Sequence, residues 1–224
     1  MMHAATAMKS ALPRGSSHAN PPYLMQTKKQ ILFDELCKKA HSCNLCEGLE
    51  DRHPVLSHLN GNLDSKILFV GEAPGRLGAD KYRIPFHGDA TGRNFEHLIS
   101  VAGLSREDIF ITNCVLCNPR DEKGNNRKPT RREIESCRFF LKEIIKLIEP
   151  RVVVTLGVPA LDSICALYGL KIKLSESVAT SVSPNGGPQL FPLYHTSPLA
   201  MVHRRKQKME EDFKKLGDYY ADCK

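Results

Sequence analysis

Apolar residues fall along this chain in two rhythms. Four short runs are apolar at nearly every position: Lys66-Ile-Leu-Phe-Val70, Ile109-Phe-Ile-Thr-Asn113, Val152-Val-Val-Thr-Leu156 and Leu190-Phe-Pro-Leu-Tyr194. Runs of this length without alternation suit strands buried on both faces. Pro192 lies inside the fourth run and cannot donate to a ladder, so that strand belongs at a sheet edge or a bulge. Helical spacing separates the runs, over Met25 to Ala40, Gly92 to Ala102, Thr130 to Ile148, Val158 to Tyr168 and Leu199 to Leu216. The alternation predicts an α/β fold, a three-layer α/β/α sandwich around a central, mainly parallel four-stranded sheet. Ligands of such sheets bind beyond the carboxyl ends of the strands. Glu72, Asn113 and His195 stand at three of those ends, and they are expected to face one crevice.

With 224 residues the chain is the size of one domain with a real core. Residues 1–24 mix Ala, Ser, His, Gly and Pro without period, so a tail precedes a single domain over 25–224. No apolar run approaches the ~20 residues that span a bilayer. No secretory leader with its apolar stretch of ~7–15 residues opens the chain, and Lys9 and Arg14 are too few for a transit peptide. A cytoplasmic protein, nucleoid-associated in a prokaryote, is expected. The formal net charge of +7 favours an anionic partner, nucleic acid first. The chain is expected to act as a monomer.

Eight cysteines change the picture. Cys43 and Cys46 form one CxxC, Cys114 and Cys117 bracket a second, and Cys137 follows on a predicted helix. In an intracellular protein such spacing points to metal or redox chemistry rather than disulfides. Cys114 continues the strand alternation and is expected to face the core, away from Cys117. Cys43, Cys46, Cys117 and Cys137 remain as four ligands, sufficient for zinc or for an iron–sulfur cluster.

Three further segments carry candidate chemistry. Gly71-Glu-Ala-Pro-Gly75 ends the first strand in a sharp turn, with positive φ expected at glycine. Phe86 sits in the glycine-rich loop Pro85-Phe-His-Gly88-Asp-Ala-Thr-Gly92, where an aromatic ring suits stacking on a nucleobase. Gly88 and Gly92 are expected to let the backbone approach a phosphate or base closely. His195-Thr-Ser197-Pro198-Leu199 ends the last strand and leads into the basic run Arg204-Arg205-Lys206, a composition suited to insertion into DNA with phosphate contacts alongside.

Together these motifs resemble the uracil-DNA glycosylase superfamily, and most of all its iron–sulfur branch, family 4. Gly71-Glu-Ala-Pro-Gly75 is similar to the branch's opening motif letter for letter. Pro85-Phe-His-Gly88, Thr112-Asn-Cys-Val-Leu-Cys117-Asn-Pro119, Arg127-Lys-Pro-Thr130, Glu133-Ile-Glu-Ser-Cys137, Pro150 to Ala160 and His195-Thr-Ser197 follow in the family's order. The likeness runs from Cys43 to Leu216. It departs at Gly78 to Arg83, where the family has an acidic pair, and in a short insertion over Asp121 to Asn126. Asp89-Ala-Thr-Gly92 leans toward the related family 5, which lacks the acid that Glu72 supplies.

The resemblance implies a monofunctional glycosylase that hydrolyses the N-glycosidic bond of uracil in DNA, with a 4Fe-4S cluster and zinc as the alternative. Glu72 and His195 are then the catalytic pair. Phe86, Asn113, Gly71 and Ala73 bind the base. Ser197, Pro198, Leu199, Arg204 and Arg205 bind DNA. A glycosylase for hypoxanthine or xanthine, or a non-catalytic DNA-binding module of the same fold, stands as the alternative.

Overall fold

The computed structural model describes residues 26–222; the expected tail over 1–24 lies outside them. Four parallel strands form one sheet: β1 (Ile67–Gly71), β2 (Ile109–Asn113), β3 (Val152–Leu156) and β4 (Gln189–Leu193), in the order β2-β1-β3-β4. The chain order reverses about β1, which opens a crevice beyond the strand ends at that point. β4 is an edge strand, so the missing N–H of Pro192 costs no bond to a further strand.

Alternate strand residues feed two separate cores. Leu68, Val70, Phe110 and Val153 pack under α1 (Lys28–His41), α4 (Arg131–Ile148) and α5 (Val158–Tyr168), through Phe33, Leu36, Leu141, Ile144 and Ile164. Ile67, Phe69, Ile111 and Val154 pack on the opposite face under α3 (Ala90–Val101) and α8 (Lys206–Asp222), through Phe95, Leu98, Phe213 and Leu216. The three-layer sandwich is therefore as the sequence pattern predicts, with every strand pair parallel. Caps set where the helices begin. Asp89 accepts from the Gly92 amide at 2.8 Å to start α3, and Thr130 and Glu133 form a reciprocal capping box to start α4.

Short helices α2 (Ala79–Tyr82) and α6 (Leu174–Ser177) sit in the connections. The single helix expected over Leu199 to Leu216 is instead two, α7 (Ala200–His203) and α8, broken at Arg204. Arg204 is extended, at φ −133° and ψ 99°. Its guanidinium forks onto Asp212 with bonds of 2.8 and 2.6 Å and lies over the Tyr194 ring. Asp212 is 2% exposed, so this pair turns Arg204 inward and stops the helix. The Arg204 guanidinium, expected to contact phosphate, is thus engaged with a buried carboxylate through Nε and Nη2. Replacing Arg204 with Met is expected to strand that charge and to lower the unfolding free energy by about 3 kcal/mol. Urea denaturation reads this.

Candidate active site

Beyond the carboxyl ends of the strands lies a crevice of about 320 Å³. Glu72, Ala73, Phe86, Asn113, His195, Ser197 and Leu199 line it together. Residues more than a hundred positions apart in sequence thus meet because parallel strands end on one side. Pro198 is exposed beside them, and Leu199 projects at the lip with 75% of its surface free. Arg204 and Arg205 are not part of the lining; Arg205 is exposed.

Each side chain is held in a definite state. Asn113 ends β2, is 2% exposed, and still lines the crevice with its side chain. A buried polar group that lines a crevice is placed to bind a ligand. Phe86 has a left-handed backbone at φ 49°, a conformation that costs about 1–3 kcal/mol in a bulky residue. The Arg106 guanidinium holds its carbonyl at 2.7 Å. Its ring packs on Phe95 at 4.8 Å between centroids and stands 5.6 Å from the His195 ring.

His195 follows β4, and the Ser197 amide donates to its Nδ1 at 3.1 Å. Nδ1 is therefore the acceptor, and a neutral ring carries its proton on Nε2. Removal from water pushes the imidazole down to about 4, against a smaller opposing pull from Asp89. Glu72 behaves in the opposite sense. Burial raises its carboxyl above the ordinary range, and the charge of Lys128 partly offsets that.

The glycines work differently from expectation. Neither Gly71 nor Gly75 has positive φ. Gly71 is required for space: a Cβ there would stand 2.5 Å from Asn113 Oδ1 and 2.9 Å from the Phe86 ring. Gly92 and Gly88 approach protein rather than phosphate. A Cβ on Gly92 would meet the Phe86 carbonyl at 2.6 Å, and Gly88, at φ 85°, lies against the Tyr82 ring.

Asp89, Asn118, Asn126, Arg127 and Lys128 also line the crevice; none of them has a role assigned from sequence, although Asp89, Asn118, Arg127 and Lys128 stand inside the segments that resemble the family. The insertion over 121–126 closes as a turn, with the Asp121 carboxylate accepting from the Lys123 and Asn125 amides at 3.0 and 2.8 Å. It delivers Asn126, whose Oδ1 accepts from Asn118 Nδ2 at 3.0 Å and from the Arg76 amide at 3.0 Å. Asn118, 1% exposed, also donates to the Pro74 carbonyl at 2.6 Å. The loop that carries Glu72 is thus pinned from the segment that follows Cys117.

Cys43, Cys46, Cys117 and Cys137 line one small cavity with Leu45, Leu49, Val115 and Phe140. Burial, and then the neighbouring sulfurs as anions, push the Cys117 and Cys137 thiols up to about 12. Among the described residues no three His, Cys, Asp or Glu side chains are gathered as ligands of a single metal ion. Cys114 is core, as expected: it is 1% exposed and donates to the Gly71 carbonyl at 3.1 Å.

A parallel α/β sheet with a base-sized crevice at its strand ends and four cysteines beside it defines a narrow class of protein. A family profile described as the Uracil DNA glycosylase superfamily matches residues 58–217, and this chain belongs to that family. The Type-4 uracil-DNA glycosylase of Archaeoglobus fulgidus is 32% identical over 190 residues, covering 83% of this chain and 92% of the relative. That of Thermotoga maritima is 36% identical over 177 residues, covering 78% and 86%. The Type-5 uracil-DNA glycosylase of Thermus thermophilus is 32% identical over 151 residues, covering 61% and 67%.

The depressed basicity of His195 has a measurable consequence. Between the ordinary histidine value of 6.5 and about 4 the unfolded chain takes up a proton at this site that the folded chain refuses. This site's share of stability is therefore intact above 6.5 and is lost as pH falls toward 4. Nuclear magnetic resonance of labelled histidine is expected to find one imidazole titrating near 4, absent in His195→Gln.

Proposed function

We propose that this chain hydrolyses the N-glycosidic bond of uracil in DNA, as the names of its Type-4 relatives suggest. The observation that carries the reading is the buried amide of Asn113 beside Phe86 and a neutral His195 in one crevice.

A stacked base is out of reach, so the nucleotide is extruded at a cost of a few kcal/mol. Leu199, exposed at the lip with Ser197 and Pro198 beside it, fills the gap left in the duplex. The flipped base stacks against Phe86, which contributes about 1–3 kcal/mol. The Asn113 amide offers both an acceptor and a donor, matching uracil N3–H and O4. Cytosine presents the reverse pattern at those atoms and leaves the amide unpaired. Gly71 and Ala73 keep this wall low.

Bond cleavage places negative charge on the leaving ring and positive charge on the sugar. The Nε2–H of His195 donates to O2 of the departing uracil anion, and a neutral donor spares the site a charge in the ground state. Glu72, as carboxylate, faces the sugar and orients the attacking water. Arg205 contacts phosphate from the exposed turn before α8.

The four cysteines fit a 4Fe-4S cluster. The cavity they share is lined by four thiols and no carboxylate or imidazole, and the Leu116 amide donates to Cys137 Sγ at 3.4 Å. A 4Fe-4S cluster takes four cysteine thiolates, the number that line this cavity. When bound, it supplies the positive charge these buried sulfurs need and ties the turn after α1 to the Cys117 loop and to α4. No described helix is long and apolar enough to cross a membrane. The chain is read as a monomeric cytoplasmic repair enzyme acting on uracil-containing DNA.

A panel of oligonucleotides carrying uracil, hypoxanthine or xanthine tests the activity, with uracil expected to be released fastest. Undiminished release by a double variant, His195→Ala with Glu72→Ala, sinks the assignment. The rate is expected to fall as pH drops through the raised carboxyl value of Glu72, and that limb should vanish in Glu72→Gln. Purified protein is expected to be coloured and to hold iron and sulfide in equal amounts, with colour lost in Cys137→Ser. Colourless protein with stoichiometric zinc refutes the iron–sulfur reading.

A further inference from the structure

Two lysine or arginine side chains line the crevice, Arg127 and Lys128, and they differ in kind. Arg127 is spent. Its guanidinium forks onto Glu133 with bonds of 2.9 and 2.6 Å, and its Nε donates to the Arg120 carbonyl at 3.1 Å. Arg120 in turn is bound to Asp80 and, at 2.6 Å, to Asn118. Lys128 is exposed, with no acidic partner within salt-bridge distance among the described residues. Its backbone is nonetheless held firmly. Arg127 Nη1 donates to the Lys128 carbonyl at 3.1 Å, Pro129 follows, and Thr130 caps α4. A fixed backbone with a free ammonium at a crevice lip suits capture of an anion rather than support of the fold.

We propose that Lys128 holds the phosphodiester of the extruded nucleotide and stands over Glu72 as its counter-charge. The proposal rests on the excision reading and adds a phosphate contact within the crevice itself. The apolar Leu199, the cationic Lys128 and Glu72 line the same crevice that would receive the nucleotide. The nucleotide's negative backbone then meets the one uncommitted Lys or Arg among the described lining residues. The remaining charged groups around Glu72 do not compete for that role. Arg127 is neutralised by Glu133, Asp89 is engaged with the Gly92 amide, His195 is neutral near pH 7, and the buried thiol of Cys114 is pushed up to about 12. Lys128 is thus the cation whose charge reaches the Glu72 carboxyl.

The test uses the full chain as purified, in three forms: parent, Lys128→Gln and Lys128→Arg. Binding to a uracil-containing duplex is measured across a salt series, and single-turnover excision across pH. For Lys128→Gln the slope of log affinity against log salt is expected to fall by about one. KM should rise several-fold, and the acid limb of the rate should move to higher pH, because Glu72 has lost its counter-charge. Lys128→Arg should restore the slope. An unchanged slope and KM in Lys128→Gln overturns the proposal, and so does a loss of slope that Lys128→Arg fails to recover. If the parent chain releases no uracil, the excision reading fails by itself, and the salt series still decides whether Lys128 contacts phosphate.

Discussion

The crevice depends on one close approach, that of Gly71 to Asn113 and Phe86. The Cα of Gly71 ends β1 where β2 ends beside it, in register with Asn113. Any side chain there would overlap the Asn113 amide at 2.5 Å and the Phe86 ring at 2.9 Å. Removing the Cβ lets the polar amide and the aromatic ring share one wall. That contact sets a polar amide and an aromatic ring side by side in the crevice lining. It also explains why Phe86 tolerates a left-handed backbone: the ring is wedged between Phe95 and His195, and its carbonyl is held by Arg106. Packing that over-determines a strained residue keeps it in place at low cost in motion.

Around that crevice the fold sorts charges by burial. His195 is held neutral by exclusion from water, with the Ser197 amide choosing its tautomer. Glu72 is half-shielded, enough to raise its carboxyl without silencing it. Positive side chains divide into two groups. Arg127 and Arg204 fork onto the buried acids Glu133 and Asp212 and serve as braces. Lys128 and Arg205 remain exposed. A guanidinium offers a planar fork for a carboxylate, whereas a lysine is a point charge on a flexible stem. The structure uses each where its geometry suits.

The cysteine site and the crevice are mechanically joined. Cys117 is followed directly by Asn118, whose buried amide grips the Pro74 carbonyl and Asn126. Asn126 comes from the inserted turn and also holds the Arg76 amide. The loop bearing Glu72 is therefore positioned from the same short segment that contributes a thiol to the cysteine cavity. The insertion over 121–126 fastens the loop that bears Glu72, because its tight Asp121-centred turn aims the Asn126 amide inward.

Much of this protein was legible in its sequence, for physical reasons. Strands buried on both faces must be apolar throughout, and helices covering them must be apolar on one stripe, so all four strands and the main helices could be read from residue order. Parallel strands end on one side, so the meeting of Glu72, Asn113 and His195 followed from the fold class alone. Cys114 was separable from Cys117 by strand alternation. What residue order could not decide was which long side chains pair. Arg204 and Lys128 are both plain cations in sequence; only the tertiary placement of Asp212, buried a helix turn or two beyond, turns one inward and leaves the other free. Local pattern determines which faces are buried, because burial is a property of each residue. Pairing, tautomer and close approach belong to the folded chain, because each needs a partner that sequence distance does not reveal.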